Sequence, residues 1–327
     1  MNVQLRQHRR PVLSAAFASS TAAAYDAAGR DYLAYADGDA GQDFCFDGTY
    51  GFADREIWQR IERKLAQLAA GGHHTLRVLD AGCGPGTWLR RVVLRARALG
   101  FKTVLAYGFD LSPVMVNLAL AQAAGITTDS ITLTYTQRDI TGALPFEDHS
   151  FDLSLCLYGV LNHLPAAALA AVAAELARVT SDTMFVTVRA AGSQPTIYVD
   201  GLARARAFHQ DNVNDWMDVD LEDGRRLGFR SHLFTAADLQ ALFEPHLATT
   251  TMFGLDVFHS RFASHPDWNP PAISGQTDFE EDLDRLEKTY ASSPHFIDRA
   301  AHILLIGENF ASSAVQPVRA TPHPARR

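Results

Sequence analysis

From residue 75 to residue 189, short apolar runs alternate with stretches in which apolar positions recur every three to four residues. LRVLDA (76–81), TVLAYGFD (103–110), ITLTYTQRD (131–139), FDLSLCLY (151–158) and TMFVTVR (183–189) read as strands. Between the first two, TWLRRVVLRARALG puts Trp88, Leu89, Val92, Val93, Ala96 and Leu99 on one helical face, and Gly100 stops it. Ser112 followed by Pro113 suits an N-cap and first helical position, opening a helix that runs to Gly125. The alanine-rich AAALAAVAAELARV (166–179) is a further helix. Strands alternating with helices predict an α/β fold, a doubly wound parallel sheet covered on both faces.

After residue 190 the rhythm is lost, and the polar, aromatic stretch that follows reads as an insertion. Order resumes at RSHLFTAADLQALF, where Thr235 and Asp238 have the spacing of a capping box. TTTMFGLDVF and HILLIGENF predict a late pair of strands. Between them, 264–276 reads as loop and 278–290 as an amphipathic helix with Phe279, Leu283, Leu286 and Tyr290 inward. No internal repeat is present.

The chain has 327 residues, 47% of them hydrophobic, and a formal net charge of -8, which argues against a polyanion as the main partner. No apolar window is long enough for a membrane span. Three scattered cysteines support neither a disulfide framework nor a zinc site and suit a reducing, cytoplasmic compartment. No metal is expected. Residues 1–22 carry Arg6, Arg9 and Arg10 without acids and read as a flexible tail rather than a targeting leader; 311–327 reads as a disordered tail.

The chemistry concentrates in VLDAGCGPGTW (78–88). Three glycines, Gly82, Gly84 and Gly86, follow a strand that ends in Asp80 and precede a helix. Glycines there let the backbone turn sharply and let a ligand approach the main chain. The dinucleotide fingerprint G-x-G-x-x-G/A fails on spacing, because Thr87 stands where the last small residue is wanted. Asp80, Asp110 and Asp139 close successive strands about thirty residues apart, the length of one strand–helix unit. All three therefore fall along one edge of the sheet, the carboxyl edge where ligands bind in open parallel sheets. Asp110 offers two acceptor oxygens suited to vicinal hydroxyls, and Asp139 an acceptor suited to an amino group. Each is also an ordinary strand-end turn residue.

From about Thr75 to Arg189 the chain resembles the class I S-adenosyl-L-methionine-dependent methyltransferases of small-molecule type. The resemblance implies a Rossmann-like, mostly parallel seven-stranded sheet with an N-terminal helical lid and C-terminal insertions. It implies a methyltransferase domain over 71–310, a lid over 23–70, and acceptor-side insertions at 190–230 and 260–300. By the same resemblance, Asp110 with Leu111 holds the ribose hydroxyls, and Asp139 with Ile140 the adenine. Asp80, Gly82, Gly84 and Gly86 lie by the loop and the methionine moiety, and Leu157 and Tyr158 meet the methionine end. Tyr25, Tyr32 and Tyr50 are candidates for the lid; each is equally a helix-packing aromatic.

In-line methyl transfer needs positioning and exclusion of water more than a compulsory triad. His163, just past the fourth strand, is the candidate catalytic base, or else a helix cap. Arg230 and His232 suit either an acidic substrate group or an internal salt bridge. His209, Asp211 and Trp216 sit in the insertion without an assigned role. The fourth strand runs into Tyr158-Gly159-Val160-Leu161-Asn162, not the Asn/Asp-Pro-Pro-aromatic signature of nucleic-acid amino methylation, and no basic, aromatic-laced stretch suits RNA. The expected partner is a small-molecule methyl acceptor. A cofactor-binding regulatory module without turnover, and a nicotinamide-dependent oxidoreductase, stand as alternatives.

Overall fold

The computed structural model describes residues 15–29, 32, 44, 46, 50–193, 205–259 and 277–310. Five strands run as expected from their alternation: β1 (Thr75–Ala81), β2 (Thr103–Asp110), β3 (Ile131–Gln137), β4 (Phe151–Cys156) and β5 (Thr180–Arg189). Helices α1 (Ala15–Ala28) and α2 (Gly51–Ala70) precede them, and α3 (Thr87–Ala98), α4 (Pro113–Ala123) and α5 (Ala166–Val179) connect them. Ser112 caps α4, its hydroxyl accepting the Met115 N–H at 3.1 Å, with Pro113 opening the helix as its fixed φ favours. Gly100, at φ 89°, follows the end of α3.

Beyond β5 come β6 (Ala205–Asp211), β7 (Trp216–Leu221), β8 (Arg226–Arg230), α6 (Ala236–Phe243), β9 (Thr249–Leu255), α7 (Thr277–Tyr290), the short α8 (Pro294–Ile297) and β10 (His302–Glu308). The main sheet has seven strands in the order β3-β2-β1-β4-β5-β10-β9. Its first five are parallel, and β10 runs antiparallel to both β5 and β9. The strand order reverses between β1 and β4, which marks the crevice where a ligand binds in such sheets.

Two apolar cores sandwich the sheet. On one face Ile57, Ile61 and Leu65 of α2 meet Leu89, Val92 and Val93 of α3. On the other, Val172 and Leu176 of α5 meet Leu239 and Phe243 of α6. The Thr235–Asp238 capping box forms in full at the start of α6.

Three expectations need correction. The insertion after residue 190 is not irregular throughout: β6, β7 and β8 make a three-stranded antiparallel sheet. Met217, Val219, Leu221 and Phe229 face inward from it and pack with Ala24 of α1, which lies against β8. Nor does Leu286 face inward on α7, being 40% exposed; the inward position next to it belongs to Glu287, fully buried. The Glu287 carboxylate accepts the backbone N–H groups of Val257 (3.0 Å), Phe258 (2.5 Å) and His259 (2.9 Å), so it satisfies three donors that the end of β9 leaves open. The tail expected over 1–22 is helical from Ala15 onward, as part of α1. Residues 1–14, the expected loop at 264–276 and the tail 311–327 lie outside the described residues, as does Phe279's side chain.

Thr235→Ala removes the cap hydroxyl and is expected to destabilise the protein by about 0.5–2 kcal/mol. Thermal and urea unfolding check this, and an unchanged midpoint contradicts the capping role.

Candidate functional site

At the carboxyl edge the parallel register pairs Ala81 with Phe109. The chain leaving β1 therefore turns directly over the end of β2, and the N–H groups of Gly82 and Cys83 both donate to the Phe109 carbonyl, at 2.8 and 2.9 Å. Gly82 has φ 79°, and a Cβ on it would stand 2.3 Å from Val160 Cγ2 on the loop after β4. Only glycine lets these two loops close on one another. The turn brings the Gly84 N–H to Oδ2 of Asp110 at 2.9 Å, while Oδ1 accepts the Ser112 N–H, also at 2.9 Å. Burial pushes the Asp110 carboxyl up from the usual carboxylate range, and the backbone N–H donors, led by Ser112 and Gly84, pull it back.

A cavity opens around this carboxylate. Gly82, Gly84, Asp110, Leu111, Asp139, Ile140, Leu157 and Tyr158 all line it, so the structure brings together most of the cofactor residues expected from sequence. Asp139 lies two residues past β3, where its Oδ1 accepts both the N–H and the hydroxyl of Thr141 at 2.8 Å. Two expected residues stand elsewhere. Gly86 lines neither this cavity nor its neighbour; at φ 85° it turns the chain into α3, and a Cβ there would meet the Tyr135 hydroxyl at 2.6 Å. Its requirement is for packing.

Asp80 lies in an adjoining cavity with Tyr32, Tyr50, Asp54, Trp88 and Tyr158; the two cavities share Tyr32, Gly82, Gly84, Leu157 and Tyr158. Asp80 is 2% exposed, and its Oδ2 has no hydrogen-bond partner. Burial first, then the Asp110 charge, raises its pKa to about 8. A buried carboxylate oxygen left unpaired beside aromatic rings suits a cationic ligand group.

Tyr158 is a non-glycine residue at φ 54°, a backbone strain of the kind that marks functional loops. Its N–H donates to Thr187 Oγ1 and its hydroxyl to Asp54 Oδ1, so the ring is fixed between the two cavities. Asp54 was invisible to pattern reading; a lone acid in the first turn of α2 carries no periodic signal.

Helix α1 forms the roof. Asp26 accepts from the Ser112 hydroxyl at 2.5 Å, and Tyr25 and Tyr32 line the main cavity with their rings edge to face at 5.6 Å. His163 is not a helix cap. Its Nδ1 lies 2.7 Å from the Arg230 carbonyl and its Nε2 2.9 Å from the Tyr25 hydroxyl. A carbonyl only accepts, so Nδ1 carries the proton, and Nε2 accepts from Tyr25. Burial lowers the His163 pKa to about 4.

The other sequence candidates resolve as structure. His232 and Arg230 both reach Asp215, at 2.9 and 3.7 Å, the internal salt bridge. Asp211 caps its own turn through the N–H groups of Val213 and Asn214, and Trp216 donates to Asp218; His209, Asp211 and Trp216 do not line the cavity. Among the described residues no group of three or more His, Cys, Asp or Glu is placed to hold a metal ion, and no helix is long and apolar enough to cross a membrane.

The imidazoles of His163 and His302 are both buried, and His302 has no hydrogen-bond partner on either ring nitrogen. Each ring is expected to stay neutral far below the usual histidine range, with titration midpoints near 4 and 3. Nitrogen-detected NMR against pH reads this, and a midpoint near 6.5 for His163 contradicts the burial argument.

Residues 78–183 match the family model described as "Methyltransferase domain". No curated protein matches the sequence. Similar solved structures include the magnesium protoporphyrin IX methyltransferase of Synechocystis PCC 6803 with bound S-adenosyl-L-methionine, at 16% identity and TM-score 0.47, covering 92% of this chain and 100% of that one. DhpI in complex with S-adenosyl-L-homocysteine is similar at 13% identity and TM-score 0.46, covering 90% and 98%. A methyltransferase from Methanosarcina mazei follows at 14% identity and TM-score 0.43, covering 72% and 93%. The matched residues 78–183 carry the glycine loop and run from within β1 into β5, and over them the chain is similar to a methyltransferase domain.

Proposed function

We propose that the protein transfers a methyl group from S-adenosyl-L-methionine to a small-molecule acceptor in the cavity beneath α1. The observation that carries this reading is the Asp110 carboxylate. It stands at the end of β2 beside the switch point, its two oxygens anchored by the Gly84 and Ser112 N–H groups, in a cavity shared with Asp139 and Ile140. Each anchored oxygen keeps further lone pairs, which is the acceptor set that two vicinal hydroxyls need. Leu111 flanks the ribose and Ile140 the adenine, with Asp139 as acceptor for its amino group. The unpaired Asp80 Oδ2, with Gly82, Gly84, Leu157 and Tyr158, forms the methionine end, where a cation answers the buried carboxylate.

Bound S-adenosyl-L-methionine supplies a methyl group activated by a sulfonium leaving group. The chain's own task is to hold donor and acceptor in line and to exclude water. Tyr25 and Tyr32 close the roof, Tyr158 is fixed between the two cavities by Asp54, and the glycine loop forms the floor.

S-adenosyl-L-homocysteine is expected to raise the melting temperature and NADH to leave it unchanged, since only a ligand of the folded state stabilises it. Asp110→Ala is expected to weaken S-adenosyl-L-homocysteine binding by about 1.5–3 kcal/mol in calorimetry. Unchanged affinity contradicts the ribose assignment. Turnover with any acceptor separates an enzyme from a binding module.

A second expectation concerns protons. With its pKa raised to about 8, Asp80 is protonated in the unliganded protein at neutral pH. A cation favours the ionised form, so binding S-adenosyl-L-methionine releases a proton below that pH. Affinity then rises with pH and levels off near 8. Calorimetry in two buffers of different ionisation heat reads the released proton; none released contradicts a cation at Asp80.

A further inference from the structure

We propose that the acceptor is an uncharged phenol or enol whose hydroxyl donates to the Tyr25 phenol oxygen, its proton passing through Tyr25 to Nε2 of His163 as the methyl group is transferred. This rests on the cofactor reading above and adds the class of acceptor and the route of its proton.

Three segments far apart in sequence build the relay. Tyr25 comes from α1, His163 from the loop after β4, and the Arg230 carbonyl from β8. The direction of the chain is set at its far end. The Arg230 carbonyl takes the Nδ1 proton at 2.7 Å, Nε2 is left as acceptor, and the Tyr25 O–H fills it at 2.9 Å. A phenol oxygen that donates its hydrogen still accepts through its lone pairs, so Tyr25 receives a second donor while giving to His163. Tyr25 and His163 both line the main cavity, and Phe229 packs against the imidazole edge to face with ring centroids 5.5 Å apart.

The walls select the acceptor. Among the described residues, the charged side chains lining the cavity are Asp110, Arg138 and Asp139, on or just past β2 and β3 where the adenosyl group is assigned. The remaining lining, including Thr21, Ala22, Tyr25, Tyr32, His163 and Pro165, carries no formal charge at neutral pH. An anionic acceptor finds no counter-charge there, and neither does an ammonium. The Tyr25, Tyr32 and His163 rings offer edge and face contacts to a flat aromatic acceptor.

A proton relay serves an acceptor that must lose a proton of high pKa. Burial of the ring, and after it the Arg189 charge on β5, oppose the imidazolium. Coupled to methyl transfer, loss of the proton to such a base is easier for a hydroxyl of phenolic or enolic acidity than for an aliphatic alcohol. In the step, the acceptor O–H bond breaks and its oxygen forms the new bond to the methyl carbon. The carbon–sulfur bond breaks with its electron pair left on sulfur. The acceptor proton goes to the Tyr25 oxygen as the Tyr25 proton goes to Nε2. The imidazolium so formed keeps its Nδ1–H on the Arg230 carbonyl, and the proton returns through Tyr25 to water once products leave.

The test offers the full-length protein and S-adenosyl-L-methionine four probes: 4-methylphenol, 4-nitrophenol, 4-methylbenzylamine and 4-methylbenzoate. Release of S-adenosyl-L-homocysteine is expected with the two phenols alone. Tyr25→Phe and His163→Asn are each expected to lower kcat on 4-methylphenol about 10²- to 10³-fold, with S-adenosyl-L-homocysteine affinity unchanged. On 4-nitrophenol, held neutral at mildly acidic pH and far more acidic than 4-methylphenol, the same variants should lose less than about tenfold, because its proton leaves with less help from a base. Equal losses on both phenols overturn the relay and leave a packing role. Turnover of the amine or the benzoate instead, or of none of the four while S-adenosyl-L-homocysteine binds, overturns the acceptor assignment. Failure to bind S-adenosyl-L-homocysteine overturns the cofactor reading itself.

Discussion

One carboxylate holds the site together. Asp110 is bonded through one oxygen to the glycine loop and through the other to the first turn of α4, so two loops that no other described backbone bond joins keep a fixed distance. That arrangement presupposes the parallel register of β1 and β2, which sets the Gly82 and Cys83 N–H groups on the Phe109 carbonyl. A slip of one residue would move the acid to the other face of the sheet, away from the cavity. The close approach at Gly82 and Val160 then brings the β4 loop, with Tyr158 and His163, to the same place.

Two kinds of polar group occupy this centre, and burial acts on them in opposite ways. Asp80 is held toward its neutral acid and His163 toward its neutral base, so an apolar enclosure keeps both uncharged. Around Asp80 the walls are aromatic and a second acid, Asp54, takes the Tyr158 hydroxyl. Around His163 they are phenol, carbonyl and phenyl. The two ends of the cavity system therefore differ in the charge of ligand they tolerate, although they share Leu157 and Tyr158 just past β4.

The central fold was legible because each of β1 to β5 buries its own apolar positions against the helices adjacent in sequence. The Ser112–Pro113 and Thr235–Asp238 signals were legible for a related reason: capping is local chemistry. The expected acids and most of the expected glycines converge because strand–helix units of similar length return the chain to one edge. What escaped depends on partners distant in sequence. Met217, Val219 and Leu221 do alternate, but their cover is α1, nearly two hundred residues earlier, and three apolar positions alone do not announce a strand. Glu287 displaces Leu286 from the inward face because three N–H groups of a loop thirty residues away require an acceptor. Gly86 was assigned to a ligand when its constraint is the Tyr135 hydroxyl.

The apolar cluster shared by α1 and the small sheet is distinct from the two that bind the main sheet. Hydrophobic area thus glues the roof to itself, while the described ties of Tyr25 and Asp26 to the floor are hydrogen bonds, at His163 and Ser112. Such bonds contribute about 0.5–1.5 kcal/mol each, against the far larger sum held in a buried core. Helix and small sheet form a cluster of their own, set over the Asp110 site by polar contacts that water can replace. One sequence thus fixes a carboxylate with backbone donors and covers it with contacts of modest strength.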